Sequence, residues 1–258
     1  MRILLTNDDG YNALGIKAVF ASLVHAGHDV IMIAPERNSS GAGQSIAIYH
    51  SIAISQVEDK IYYVTSSPAD SVRLGLQAVY VTPDNYPDLV ISGINLGENI
   101  AEDVLYSGTV GAAREGTLHG IPSLAISTNG VGNLDGEYLH LDSASRIVVE
   151  LVDKIEQNLR FLPRNFLWNV NIPNQPYDRI DGYETTKLGL RPLHQPLIEQ
   201  TTPRGHKIYW QGYSSLPDEF ELGTDLQVFY QQKKVSITPL EILPTNYEHM
   251  PIVDALIG

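Results

Sequence analysis

Apolar residues along this chain fall into short runs divided by polar turns, and the first run leads directly into acids. Ile3, Leu4 and Leu5 break into Thr6-Asn7-Asp8-Asp9-Gly10. A run this short, bounded by turn residues, predicts a strand covered on both faces, as in parallel α/β sheets. Leu14, Ile16, Val19, Phe20, Leu23 and Val24 recur at helical spacing before Gly27, and residues 28–34 (HDVIMIA) form a second buried run. Strand, helix and strand with short connections make a βαβ unit, whose strands are parallel.

Farther along, Ile46 to Thr65 alternates apolar and polar residues around Glu58-Asp59-Lys60, which predicts an antiparallel excursion from the sheet. Pro68-Ala69-Asp70 opens a helix over 71–79, and residues 87–92 read as a third core strand. Small residues from Tyr106 to Gly116 open another helix. Residues 121–127 then give a fourth strand, 143–159 an amphipathic helix and 166–172 a fifth strand. The pattern is that of a doubly wound α/β fold with a mostly parallel sheet. Beyond Pro173 the composition shifts to Pro, Gly, Tyr and Thr with short extended runs at 183–186, 207–210 and 234–238. The expected organisation is an α/β catalytic core over 1–173 and a β-rich extension over 174–258. Its strands and hairpins would project from the core as an arm that covers the active site or embraces a neighbouring subunit, and would pack back on the core. No internal repeat or low-complexity tract interrupts the pattern.

Composition narrows the chemistry. A chain of 258 residues, 43% hydrophobic, can bury a substantial core. Its net charge of -13 argues against a nucleic-acid polymer as partner, because phosphate contacts need clustered Lys and Arg. An acidic protein can still hold a phosphate through backbone amides, a helix N-terminus or a metal cation. The absence of Cys excludes disulfides, thiolate nucleophiles and Cys-ligated zinc. The eight His are scattered; His25 and His28, the one weak pair, are expected to straddle a helix end. The first strand begins at Arg2 and no apolar run reaches membrane-spanning length, so a cytoplasmic protein without membrane contact is expected.

Four loops bring similar chemistry to the carboxyl edge of the predicted sheet. They carry Asp8 and Asp9; Ser39 and Ser40 in PERNSSGAGQS; Asn95 and Asn99 in GINLGEN; and Ser107-Gly108-Thr109. Each loop has an ordinary reading by itself: an Asx-type turn with solvated acids, a surface loop, or a helix with a Ser cap. Chance accounts for one such loop more easily than for four. A dinucleotide fingerprint would place Gly-x-Gly-x-x-Gly after the first strand, where this chain has Asn-Asp-Asp-Gly, so nicotinamide binding is disfavoured. Carboxylate, hydroxyl and amide oxygens are hard donors that favour magnesium, manganese or calcium.

MRILLTNDDG, APERNSSGAGQSI, ISGINLGEN and YSGTVGAAREG resemble the signature blocks of the SurE family of stationary-phase survival proteins, with weaker matches in SPADSVRLGL, LWNVNIP, PRGHKIYW, GTD and KKVSITPL. The resemblance implies a Rossmann-like core and a carboxyl-terminal extension exchanged between subunits of a homodimer or homotetramer. It also implies a metal-dependent 5′/3′-nucleotidase that hydrolyses nucleoside monophosphates and, in some members, short polyphosphate. One divalent ion per subunit, Mg²⁺ or Mn²⁺ with Ca²⁺ as a crystal substitute, would be held by Asp8, Asp9, Ser39 and Asn95. Phosphate would be met by Ser39, Asn95, Asn99, Ser107, Gly108 and Thr109. The chain departs from the family pattern at Leu14, where Pro is usual, and at Ser66, Ser67 and Ser71, where Gly, Thr and Cys are usual. The change at Ser67 removes a methyl group near the sheet edge and bears on substrate preference.

Asp8 and Asp9 are the expected catalytic pair, with Asp8 open to the role of general base, nucleophile or ligand. Phosphatases with an aspartyl nucleophile show Asp-x-Asp here, and Asn7 occupies the first of those positions. Two rivals are a glycosyltransferase-like enzyme, which would need a second Rossmann domain, and a non-catalytic nucleotide- or metal-binding module.

Overall fold

The structure is a computed structural model that describes residues 1–129, 139–192, 197–212 and 215–258. The five apolar runs read as core strands all become strands of one nine-stranded sheet. The first half supplies β1 (Arg2–Thr6), α1 (Leu14–His25), β2 (Asp29–Pro35), β3 (Ile54–Glu58), β4 (Ile61–Val64) and α2 (Pro68–Leu74). It is followed by β5 (Leu89–Leu96), α3 (Gly108–Leu118), β6 (Ser123–Thr128), α4 (Leu141–Asn158) and β7 (Leu167–Ile172). The carboxyl-terminal part adds β8 (Tyr183–Thr185), β9 (Leu197–Thr201), β10 (Lys207–Gln211), β11 (Val235–Pro239) and α5 (Met250–Ile257).

The strand order is β3-β4-β2-β1-β5-β6-β7-β11-β8, parallel from β4 to β7. The chain winds outward from β1 through β2, then returns to place β5 on the other side of β1. The carboxyl ends of β1 and β5 therefore flank the topological switch point, where open α/β sheets bind ligands. Asp8 and Asp9 follow one of these strands, and Asn95 ends the other.

Helices cover both faces, as the continuous apolar strands require. α1 and α4 pack on one face through Ile16, Val19, Leu23, Ile147, Val148, Leu151 and Ile155. α2 and α3 pack on the other through Val72 and Ala112, with Leu4, Ile33 and Val90 beneath. Burying each such large aliphatic side chain stabilises the fold by about 1.5–3 kcal/mol. α1 lies so close to β5 that a Cβ on Gly15 would sit 1.9 Å from the Ile94 carbonyl oxygen.

Two expectations are corrected. β5 runs on to Leu96 rather than stopping at Ser92, because Gly93 adopts a φ of 136° and lets the strand continue against β6 with a register shift. The expected 71–79 helix begins earlier, at Pro68, where the Ser67 hydroxyl accepts from the Asp70 amide at 3.1 Å, and it widens to a π-helical turn over Gly75–Val79. Of the three extended runs beyond Pro173, two join the central sheet. β11 pairs antiparallel to β7, and β8 adds in parallel to β11, because Val235 is an apolar core residue that needs a covered strand. The third run pairs with β9 as a separate exposed hairpin, β9–β10. His25 is the last residue of α1 and His28 lies beyond its end, as expected.

Candidate active site at the carboxyl ends of the strands

β1 delivers Asp8 into the interior and leaves Asp9 half-buried at the edge. The turn between them is built locally: Asn7 Nδ2 donates to the Gly10 carbonyl at 3.0 Å, and Asn7 Oδ1 accepts from the Gly10 amide at 3.1 Å. Gly10 takes a φ of 102°, a left-handed value that favours glycine. Two adjacent acids thus leave the strand geometry that would point them to opposite faces.

The four loops meet here. The Ser39 amide donates to the Asp8 carbonyl at 2.7 Å, which fixes the β2 loop on the β1 loop. Asn38 Nδ2 and the Leu96 amide each approach Asp9 at 3.4 Å, from the β2 and β5 loops. Thr109 Oγ1 donates to Asp8 Oδ1 at 2.5 Å. Ser107 caps α3 by accepting from the Val110 amide at 3.1 Å. A Cβ on Gly108 would sit 2.8 Å from the Asp8 Cβ, so glycine lets the first turn of α3 rest on that side chain. Gly111 is equally confined, since a Cβ there would meet the Gly43 carbonyl oxygen at 2.4 Å.

Asn95 Nδ2 donates to the Gly97 carbonyl at 2.7 Å, which orients its amide. Asn99 sits differently from the other predicted site residues. Its Nδ2 donates to Ser127 Oγ at 2.8 Å, and its carbonyl accepts from Asn169 Nδ2 and Asn171 Nδ2. That makes it a brace for the β5 loop from behind. Thr109 is likewise fully buried, with its hydroxyl proton committed to Asp8.

Electrostatically the site is an anion trap in reverse. Burial raises the Asp8 pKa above its usual range, against the opposing pull of the Thr109 hydroxyl and the amides of Asp8, Thr109 and Gly108. Burial also raises Asp9, and the neighbouring Asp8 charge raises it further, with the Leu96 amide opposing. Among the described residues no Lys, Arg or His pairs with either acid. Nor do three acidic or His side chains gather into a metal cluster. A buried and a half-buried carboxylate without a counter-cation, on loops joined to those that carry Ser39 and Asn95, offer hard oxygen donors of the kind that fit a divalent ion.

A cleft of about 460 Å³ opens beside Ser39, between Ser40, Ser45 and Ile46 on one side and Ser66, Ser67 and Asp70 on the other. Asp70 is engaged within this wall, accepting from Ser66 Oγ at 2.6 Å and the Ala47 amide at 2.9 Å.

Sequence reasoning missed the support behind the loops. The buried Asp225 accepts from the amides of Ala101, Gly189 and Leu226, and Tyr230 donates to Glu98. The Asn-x-Asn spacing of Asn169 and Asn171 places both on one face of β7, a period-two signal that could have found them. Asp225 carries no such local signal.

Comparison with known proteins gives one answer. The family profile described as Survival protein SurE matches residues 3–195. A protein named 5′-nucleotidase SurE from Methylobacillus flagellatus is 40% identical over 247 residues, covering 96% of this chain and 95% of its own. Another of that name from Nitrosomonas europaea is 42% identical over 253 residues, covering 98% of each. The crystal structure of the SurE protein from Aquifex aeolicus superposes with a TM-score of 0.86 at 35% identity, covering 100% of both chains. The shared fold, the matched profile and these identities across nearly the whole length mean that the chain belongs to the SurE family.

Proposed function

We propose that this protein is a metal-dependent phosphomonoesterase that hydrolyses nucleoside 5′- and 3′-monophosphates, with short polyphosphate as a further substrate. The observation that carries the reading is the adjacent pair of acids, Asp8 buried and Asp9 half-buried, without a counter-cation at the sheet's switch point, in a chain whose relatives bear the name 5′-nucleotidase. Asp8, Asp9, Ser39 and Asn95 would hold one Mg²⁺ or Mn²⁺. When bound, such an ion neutralises phosphoryl charge and makes a water more acidic.

The chain's own residues do the rest. Asp8, set by Thr109 and the start of α3, presents a fixed carboxylate at the reacting end. Asp9, less buried and with its pKa raised, would accept a proton from the attacking water. The Ser107 hydroxyl accepts from Val110 and keeps its proton for a phosphate oxygen, beside the tight Gly108 turn. The serine-rich cleft beside Ser39 suits the sugar hydroxyls of a nucleoside. The exposed β9–β10 hairpin and the apolar α5 support a homodimer or homotetramer.

The test is phosphate release from 5′-AMP, 3′-AMP and tripolyphosphate in chelator, followed by add-back of Mg²⁺ or Mn²⁺. Release should vanish in chelator and return with metal. Asp8→Asn should lower kcat/KM by about 100-fold or more, and Asn95→Ala should weaken metal binding roughly 10–100-fold. Absence of metal-restorable release from every monophosphate, across pH 5–9, would sink the enzyme reading.

A further inference from the structure

We propose that Thr109 positions Asp8 for its ion and makes no contact with phosphate. This inference rests on the reading of Asp8 as a metal ligand. Thr109 is the second residue of α3 and has no exposed surface, although a hydroxyl at a helix start is ordinarily solvated or used as a cap. Here the cap is already Ser107, which accepts from Val110. The Thr109 hydroxyl has one proton, and it is donated to Asp8 Oδ1. An ionised phosphate offers acceptors only, so the same hydroxyl has nothing left to donate to it.

The surroundings enforce this partnership. Gly108 has no side chain, so α3 comes down on Asp8 closely enough that any Cβ there would lie 3.0 Å from Asp8 Oδ2. The carboxylate is thereby fixed on two sides, by a hydroxyl at one oxygen and by a bare glycine beside the other. A buried carboxylate that lost the hydroxyl would rotate or be left one donor short, and partners of this kind commonly govern metal affinity 10–100-fold. Thr109 thus acts through Asp8 and is a positioning residue.

The experiment measures Mn²⁺ binding by isothermal titration calorimetry on the full chain, without substrate, for wild type, Thr109→Val and Thr109→Ser. Valine keeps the shape and removes the hydroxyl; serine keeps the hydroxyl. The expected result is an Mn²⁺ dissociation constant raised about tenfold or more in the valine variant and within about threefold of wild type in the serine variant. At saturating Mn²⁺ the KM for 5′-AMP should be unchanged in both. Melting of the metal-free proteins accompanies the titrations, and Thr109→Ala supplies a second hydroxyl deletion where valine fails to fold. Unaltered Mn²⁺ affinity in the folded deletion variant overturns the proposal. So does a raised KM with unaltered Mn²⁺ affinity, which would make Thr109 a phosphate contact. Failure of the wild type itself to bind Mn²⁺ overturns the underlying metal reading, and the two failures are told apart by the wild-type titration alone.

Discussion

A carboxylate next to another carboxylate, one buried and one half-buried and neither paired with a cation among the described residues, works against the fold that contains it. Asp9 shows the effect more cleanly than Asp8, because its donors among the described residues are Asn38 Nδ2 and the Leu96 amide, both at 3.4 Å. Its pKa is raised by burial and then by Asp8, so the folded state holds the Asp9 proton more tightly than the unfolded chain does. The stability linked to that proton is present below the unfolded pKa and is lost as pH rises through the folded one. In chelator at pH 7, Asp9→Asn should therefore melt higher than wild type, by roughly 1–4 °C. The gap should close as the pH falls below the folded pKa of Asp9. Saturating Mn²⁺ should reverse the order, since an ion at 100 times its dissociation constant adds about 2.7 kcal/mol to wild type and little to the variant. Scanning calorimetry at several pH values, with and without Mn²⁺, checks all three; a variant that melts below wild type in chelator at pH 7 refutes the account. At this scale the acids were readable from the sequence, because Asn-Asp-Asp-Gly after an apolar run must turn. Thr109 and Asn99 were legible as residues near the site but not in their partners, since a hydroxyl or amide is equally able to meet a ligand or a neighbouring loop.

Among the elements, α3 and the β2 loop depend on each other. Gly111 lies against the Gly43 carbonyl, the Gly43 amide donates to the Tyr106 carbonyl at 2.9 Å, and Gln44 Nε2 reaches the buried Glu115 at 2.9 Å. The loop that carries Ser39 is thus laid along a stripe of α3 with no room for a methyl group. Gly111→Ala gains about 1 kcal/mol of helix propensity and loses about 1–3 kcal/mol to overpacking against loop backbone that cannot rotate away. The balance should lower Tm by roughly 2–4 °C. It should also lower kcat/KM, because displacement of the loop moves Ser39 relative to Asp8. Equal Tm and equal kcat/KM would show that the loop gives way freely. Helical spacing and buried apolar runs revealed most elements, including α1, α4 and the inner strands. The end of β5 was missed because Gly93 and Gly97 read as loop punctuation, whereas Gly93 is needed for the close approach of β6. β8 and β11 were found as strands without their pairing, since that depends on partners far away in sequence.

For the whole molecule, the sheet explains the site and leaves two apolar features outside it. The hairpin β9–β10 is exposed along its entire length, including Leu197, Ile198, Tyr209 and Trp210. α5 exposes Met250, Ile252, Val253, Leu256 and Ile257 with no buried residue. A two-stranded hairpin is marginal by itself in water, and an eight-residue apolar helix is shorter still than isolated helices need to persist. Both become reasonable if another copy of the chain covers them, and a chain with a net charge of -13 would otherwise gain nothing from presenting apolar residues to water. Trp210→Asp should therefore shift the protein toward monomer in light scattering, with the secondary structure of the α/β sheet retained by circular dichroism. Because none of the hairpin residues contacts Asp8 or Asp9, Mn²⁺ affinity separates two roles for the assembly. An affinity within about threefold of wild type in the monomeric variant means that each subunit holds a complete donor set of its own, whereas a loss near that of Asn95→Ala, about 10–100-fold, means that the neighbour's contact fixes the loops. The bonds already closed within one chain, from Ser39 to Asp8, from Leu96 to Asp9 and from Thr109 to Asp8, favour the first outcome.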